Sequence, residues 1–528
     1  MKKILTFVAA MGITANLLAG GLVTNNNHSA MFTRLQNRNA STGIDAVYYN
    51  PAGVTKLGNG FFVSINNQTV NQTKKVKTNF PLLNGSPKEY VGDVSAPIYP
   101  GIYAAYNTGN FSFSAGFNPI GGGGGAKYDK GLPSFEMPIA SIPASLKAQG
   151  INTDEYKADI LFEGTSIYFG YQANVAYKIN DQISVGAGIR VVSAKNTYNG
   201  SIKNIQINPI YPAFGAKYNG AMNPASTFFS DGQTFLTGLA TNSTAMAAGL
   251  TAAGLPSATP ITALSAEQQG NITALLGAAG IDATGMNVGT AIATLNGVAP
   301  EFTAKAQAMA ANSAATQDTY VDAEQTGTGF APILSVNYSP SDMFNFSVRY
   351  EFKTKLELTT KVFDNKGGGV FKDGNKSIAD MPASLSLGAE IRPIDRLSIA
   401  AAFNTYFDKK VDYDGSKDAD IKMANSNYME YGIGVEYGIT EKLRISMGWA
   451  ATNTSALPAY HNDQRFSSNT NSIGAGVGYR ISPLIDFNIG GQYTINAEID
   501  KPYTGYTETY NKETLIIGIG LDFFFSKK

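Results

Sequence analysis

Between residues 60 and 525 the chain alternates apolar and polar residues in fourteen segments, joined in turn by very short and very long connections. The short turns are Asn107–Asn110, Asn180–Asp181, Ser339–Asp342, Pro393–Asp395, Gly438–Glu441 and Ser482–Pro483, and seven longer polar connections separate them. Alternation at period two marks β-strands. Short turns at one rim and long loops at the other are the layout of an outer-membrane barrel. An even strand number leaves both termini at the short-turn, periplasmic rim. The sequence predicts an all-β fold: a 14-stranded antiparallel transmembrane β-barrel over residues 60–525.

The last segment shows what faces where. Leu515, Ile517, Ile519, Leu521, Phe523 and Phe525 share one face, and Gly518, Gly520 and Asp522 the other. Lipid outside and lumen inside account for that division. Leu443, Ile445, Met447 and Trp449 alternate with Arg444, Ser446 and Gly448 in the same way, as do Phe344, Phe346, Val348, Tyr350 and Phe352 with Asn345, Ser347, Arg349, Glu351 and Lys353. Tyr437, Tyr479 and Tyr493 are expected at the short-turn rim as an aromatic girdle. The inward face is rich in glycine, at Gly186, Gly188, Gly432, Gly434, Gly474, Gly476, Gly478, Gly518 and Gly520. Glycine weakens a strand and often marks the close approach of another backbone, here a plug or a ligand path; tight curvature of a small barrel explains part of it.

A net formal charge of zero removes the case for nucleic acid, which needs a basic stripe. Past the N-terminus no run of 18 or more apolar residues marks a membrane helix. A mean hydropathy of −0.10 suits a barrel, where lipid-facing and lumen-facing residues average out. The absence of cysteine excludes disulfides and thiolate metal sites. Residues 1–20 read as a secretory signal peptide: Lys2 and Lys3, the apolar stretch Ile4–Leu18, then Ala19, Gly20 and Gly21.

Residues 21–59 lack the barrel alternation and hold the stretch Asn39–Gly53, with Asp45 and the turn-favouring Asn50-Pro51-Ala52-Gly53. Tethered at the periplasmic rim, a polar segment of this length can fold back into a wet lumen and close it. The stretch resembles the N-terminal signature of the FadL/TodX-type outer-membrane transporters, which carry long-chain fatty acids and other hydrophobic compounds. Gly327–Tyr338 followed by Val348-Arg349-Tyr350 is similar to that family's sixth and seventh strands. Met381-Pro382, and Gly448-Trp449 leading to Leu457-Pro458, add to the likeness, which covers nearly all of the mature chain except one insert. It implies that Asp45 and Asn50–Gly53 belong to a hatch plugging the barrel. Gly116, Asn118, Pro119 and Gly121 resemble the segment near the kink of the family's third strand, where a lateral gap lets substrate leave into the bilayer. Proline in a strand breaks a ladder bond, so the kink also follows physically. The gap is expected between the third and fourth strands, with valine at Gly121 and Gly122 filling it. The family's basic residue near the end of its fifth strand matches Lys195, although strand parity points Lys195 outward and Arg190 inward. Arg190, Lys195 and Arg349 are the candidates for a substrate head group.

The insert, residues 205–320, is rich in Ala, Gly, Ser and Thr and reads as short helices in the third outer loop. Ser265–Gln268 is a capping box, and Pro300 is expected to start a second helix. Leu236, Leu239, Leu250, Leu275 and Leu276 build either an apolar groove for substrate capture or a private core. Asp412, Asp414, Asp418 and Asp420 read as a solvated acidic loop rather than a calcium site. Gly121–Gly125 before Lys127 lacks the spacing of a phosphate loop.

Only His28 and His461 are present, and no nucleophile elbow accompanies them, so no catalytic residue, metal or cofactor is expected. The reading is a monomeric outer-membrane barrel, exported and placed by the barrel-assembly machinery. It passes a fatty acid or other hydrophobic small molecule from outside to the outer-membrane lipids by passive lateral diffusion. A haem-binding receptor using His28 or His461, and a structural or adhesive surface barrel, are the rival readings.

Overall fold

A computed structural model describes residues 28–366, 371–411, 424–454 and 456–526. The expected signal peptide, the first residues of the segment expected to plug the lumen and the four aspartates at 412–420 lie outside them. The first five strands are β1 (Gly60–Thr78), β2 (Lys88–Thr108), β3 (Phe111–Tyr128), β4 (Tyr156–Lys178) and β5 (Ile183–Ile207). Next come β6 (Thr319–Ser341), β7 (Phe344–Glu351, resuming at Glu357–Asp364) and β8 (Lys376–Ile378, then Ser384–Ile394). The last six are β9 (Leu397–Tyr406), β10 (Tyr428–Gly438), β11 (Leu443–Asn453), β12 (Thr470–Ser482), β13 (Ile485–Asn496, with Ile499–Tyr503) and β14 (Tyr506–Ser526). Each pairs antiparallel with its sequence neighbours, and β1 returns to β14 in one uninterrupted register from Gly60↔Ser526 to Thr78↔Glu508. The fold is the predicted closed 14-stranded barrel, and its six tight turns fall where the sequence places them. None of the described helices is long and apolar enough to cross a membrane, which says nothing of strands.

Alternation decides the two faces. Ile445, Met447 and Trp449 on β11, Phe346 and Val348 on β7, and Leu515, Ile517 and Ile519 on β14 stand exposed on the outside. Asn345, Ser347, Arg349 and Glu351 are buried inside. In lipid an outward apolar face is the stable arrangement, while every strand N–H must find its partner in the ladder. Tyr437 and Tyr479 take the short-turn rim, opposite Leu397 and Leu443. Tyr493 does not. It pairs with Ile473, which also pairs with Trp449, so these two aromatics sit well up the wall from the turns.

Two strands bend inward. β7 breaks after Glu351 and β8 breaks before Ser384, and the broken stretches are joined by the bridge Thr354–Met381 and by Ala379 N donating to the Leu356 carbonyl at 2.8 Å. Asp380 holds the bend, accepting from Leu356 N at 2.9 Å and pairing with Lys353 at 2.6 Å. Leu356, Leu358, Ala379 and Met381 are thereby buried against the plug. Gly327 and Gly329 on β6 face this bend, and a Cβ at either position would strike the Glu357 or Lys355 backbone.

The insert carries α4 (Ala225–Ala252), α5 (Ala266–Ala278) and α6 (Val288–Ala315), after α1 (Ala30–Leu35) and α2 (Ala46–Tyr49) in the plug and α3 (Pro133–Lys147) in the second outer loop. The Ser265–Gln268 capping box is present. Pro300 lies inside α6 rather than at its start; Asn287 caps that helix, accepting from Thr290 N at 2.8 Å. Packing on α4 outweighs the lost backbone bond. Leu236, Leu250, Leu275, Leu276, Leu295 and Phe302 form a core of the insert's own, with Leu239 against it. The leucines face one another.

Inside the barrel, residues 28–59 form the hatch: α1, α2 and a 3-10 turn at Pro51–Leu57. Its backbone is pressed so closely onto the wall that a Cβ at Gly434 or Gly448 would collide with the Leu35 carbonyl, and one at Gly474 with that of Thr33. Overpacking of this kind costs about 1–3 kcal/mol. Gly448→Val is therefore expected to displace the hatch while leaving the ladder intact. Limited proteolysis should then cut within residues 28–59 of a barrel that still migrates as a heat-modifiable band, and an unaltered digestion pattern would count against the glycine-rich wall being a seat for the hatch.

Candidate functional site

The hatch is organised around one carboxylate. Asp45 takes a two-pronged pair from Arg38, Nε to Oδ2 at 2.7 Å and Nη2 to Oδ1 at 2.8 Å. It also accepts from Ser41 Oγ at 2.6 Å and from Ser29 Oγ at 3.0 Å. Ser29 caps α1, accepting from Phe32 N at 3.1 Å, so Asp45 ties the entry of the first helix to the loop before the second. Burial by itself raises the pKa of Asp45, but the Arg38 charge and the three donors outweigh it and hold the carboxyl below the usual aspartate range.

The Asn50-Pro51-Ala52-Gly53 motif docks on β5 and β6. Asn50 Nδ2 donates to Ser41 O at 3.0 Å and to Asn337 Oδ1 at 2.7 Å, while its Oδ1 accepts from Gly53 N at 3.3 Å. Pro51, which has no N–H to lose, opens the 3-10 turn. Ala52 is fully buried, its N–H bonded to Ser335 Oγ at 3.0 Å and its carbonyl to Ser184 Oγ at 2.8 Å. A Cβ at Gly53 would meet the Ser41 carbonyl and the Asn50 amide. On the opposite wall Arg34 is fully buried, paired with Glu436 and donating to Ser446 Oγ at 2.8 Å and Asn488 Oδ1 at 3.0 Å. The interior is more apolar than a wet lumen: Phe32, Val47, Tyr48, Tyr49 and Val54 pack on Phe62, Tyr103, Ile120 and Tyr168.

The three cations proposed for a head group go elsewhere. Arg190 Nη1 pairs with Glu351 at 2.5 Å, and its Nε and Nη2 donate to Gln172 Oε1 at 3.2 and 2.5 Å. Arg349 Nη1 donates to the Tyr48 carbonyl at 2.6 Å, and both guanidinium groups stack on the Tyr48 ring, at 4.7 and 5.1 Å from its centroid. They clamp the hatch. Lys195 points outward and pairs with Glu324 at 2.6 Å. His28 is buried in the hatch, edge-on to Tyr48 at 4.4 Å, and His461 lies in the sixth outer loop. Burial, with Lys501 and Arg465 nearby, pushes His461 down to about 4.

The longest break in the described ladder lies between β2 and β3, and a shorter one separates 327–332 of β6 from 352–358 of β7 at the inward bend. β2 and β3 pair from Thr108↔Phe111 to Ile102↔Phe117 and meet again only at Asp93↔Lys127. Among the described residues nothing joins 94–101 to 118–126. β3 instead keeps to β4, with register shifts at Pro119/Gly121 and Gly121/Gly124. The open ladder thus lies on the β2 side of the kink rather than between the third and fourth strands. Gly116 is still paired, against Tyr103 and Gln172; Asn118 is buried just inside the opening, and Ile120 packs on the hatch core. Gly122 has φ +95°, and a Cβ there would strike the Ser166 carbonyl of β4. Valine at that position breaks the β3–β4 pairing instead of filling the gap. The facing edge of β2 holds Pro97 and Pro100, so both lips of the opening carry residues without an N–H.

Above the hatch lies a cavity of about 430 Å³. Phe32, Gln36 and Asn39 form its floor, and Tyr128, Phe162, Tyr168 and Tyr198 part of its wall. Val94, Ala96 and Tyr99 from one lip and Gly122 and Ala126 from the other also line it. The cavity therefore reaches the break in the ladder. Sequence reasoning missed the β2 lip, although two prolines within an alternating segment were a legible signal.

No protein-family model matches the sequence, and no curated protein matches it. Among solved structures the barrel is similar to a Pseudomonas aeruginosa FadL homologue, with 12% identity, a TM-score of 0.56, and 96% of this chain and 99% of that one covered. It is also similar to the P. putida toluene transporter TodX, with 14% identity, a TM-score of 0.52, and 92% and 95% covered. The chain has the FadL-type fold. In this FadL-type barrel the buried Arg38–Asp45 pair holds the parts of the hatch to one another, and breaking such a pair costs about 3–5 kcal/mol. A carboxyl held below its unfolded value of about 4 stabilises at higher pH and gives that up as pH falls through the lowered value. Hatch closure is expected to hold at neutral pH and weaken only in acid, whereas Asp45→Asn should loosen it already at pH 7. Single-channel conductance in planar bilayers reads both, and identical traces for the two proteins at pH 7 would contradict the role given to Asp45.

Proposed function

We propose that this chain is an outer-membrane channel, not an enzyme, for a fatty acid or other hydrophobic small molecule. A signal peptide at residues 1–20 exports it. Substrate enters the cavity above the hatch and leaves sideways into the bilayer between β2 and β3. The observation that carries the reading is the shared lining: one cavity touches the floor of the hatch and both lips of the open ladder. An apolar molecule inside a closed barrel faces a wall of hydrogen-bonded backbone and reaches lipid only where that wall is interrupted. A volume of about 430 Å³ is in the range of small-molecule sites. The fold it shares with a FadL homologue and a toluene transporter supports the same class of cargo. The hatch closes the alternative route, since Arg34, Asn50 and the Tyr48 clamp fix it to walls on both sides. Passage is passive, driven by partitioning into the membrane.

The route is tested by closing it. The chain has no native cysteine, so Ala96→Cys and Ala126→Cys, one on each lip, are the only thiols in the double variant. Joining them with a thiol-specific cross-linker is expected to reduce uptake of a labelled long-chain fatty acid to that of cells lacking the protein, with ligand still retained in the lumen. Uptake at the full rate through a demonstrably cross-linked wall would mean that cargo passes the hatch into the periplasm.

A further inference from the structure

Lys74 on β1 and Lys512 on β14 are direct cross-strand partners at the seam that closes the barrel. Both line the lumen cavity. Like charges placed opposite one another weaken a ladder, and among the described residues no carboxylate pairs with either ammonium. One position along, on the outer face, Lys75 does have a partner, Glu513, at 4.0 Å. The seam thus balances charge outside and leaves two positive charges inside.

A third group adjoins them. Ile495 on β13 pairs with Glu513, so the register sets the next residue, Asn496, beside Lys512. Asn496 is 5% exposed and lines the same cavity, yet neither its amide nitrogen nor its amide oxygen has a hydrogen-bond partner among the described residues. A buried amide left unbonded costs free energy. The other charged groups of the lining are engaged. Glu430 accepts from Tyr406 at 3.0 Å and Asn404 at 3.2 Å, and Arg465 stacks on Tyr460 with its centre 4.4 Å from the ring centroid.

We infer that Lys74, Lys512 and Asn496 form the head-group site for an anionic amphiphile, a carboxylate with an apolar tail. Two ammonium groups and an amide N–H offer donors to both oxygens of a carboxylate, and its negative charge offsets one of the two facing positive charges. A neutral hydrocarbon leaves all three donors unsatisfied. The tail has its own surface: Val70 and Ile516 pair four positions nearer the hatch on the same two strands, and Phe466 lines the cavity as well. The site makes this barrel selective for charged over neutral cargo, and this inference rests on the transport reading above.

The test uses the mature chain in lipid nanodiscs, with labelled dodecanoate and its methyl ester as probes in equilibrium dialysis. The native protein is expected to bind the acid roughly tenfold or more tightly than the ester, the worth of a hydrogen bond to a charged group. The double variant Lys74→Gln, Lys512→Gln should bind both alike, and Lys74→Arg should keep the preference. A purely structural role for the lysines predicts no change in that ratio, since removing their repulsion stabilises the seam. Equal binding of acid and ester by the native protein, or a preference that survives in the double variant, overturns the head-group site while leaving the transport reading intact. Binding of neither probe by the native protein overturns both.

Discussion

A sheet in lipid can leave no edge, because an unpaired strand N–H there has no water to turn to. The register of β1 against β14, unbroken from Gly60↔Ser526 to Thr78↔Glu508, is what allows the rest of this molecule to exist. Closure at that seam creates an inside and an outside from strands that carry both in alternation. It also turns every local failure of pairing into a feature with a position and a direction. Among the described residues the ladder fails at greatest length between β2 and β3, and the lumen cavity extends to that break.

Closure also explains the hatch. A 14-stranded cylinder is too wide for its own inward side chains to fill, so the remaining space must be occupied by another part of the chain. Here the wall gives way to the occupant. Glycines on β10, β11 and β12 let the Thr33 and Leu35 carbonyls approach the sheet backbone, and Arg34 reaches Glu436, Ser446 and Asn488 across three strands. On the far side the Asn50–Gly53 turn hydrogen-bonds to β5 and β6. A plug fixed on opposed walls leaves a chamber above it rather than a pore through it.

The prolines do complementary work at the opening. Pro97 and Pro100 on one lip and Pro119 on the other remove donors that would otherwise seek partners across the gap. β3 stays anchored through β4, where Gly122 in a left-handed conformation absorbs the shift in register. Ile120, at the kink, packs into the hatch core, so the lip and the plug share one apolar cluster.

Strand count, turns and the alternation of lipid-facing residues were determined by the sequence alone, because period-two alternation and turn chemistry are local and leave their mark on consecutive residues. The inward orientation of Arg190 and the outward one of Lys195 followed from the same parity. What those inward residues touch did not. Arg190 and Arg349 were legible as lumen cations, but only the folded hatch, by setting Tyr48 between them and Glu351 beside them, turned them from candidate ligand donors into a clamp. The side of β3 that opens depended on prolines about twenty residues away on β2, and the unpaired Lys74–Lys512 couple on a register joining opposite ends of the chain. Contacts across such sequence distances are fixed by closure of the barrel, and no local pattern carries them.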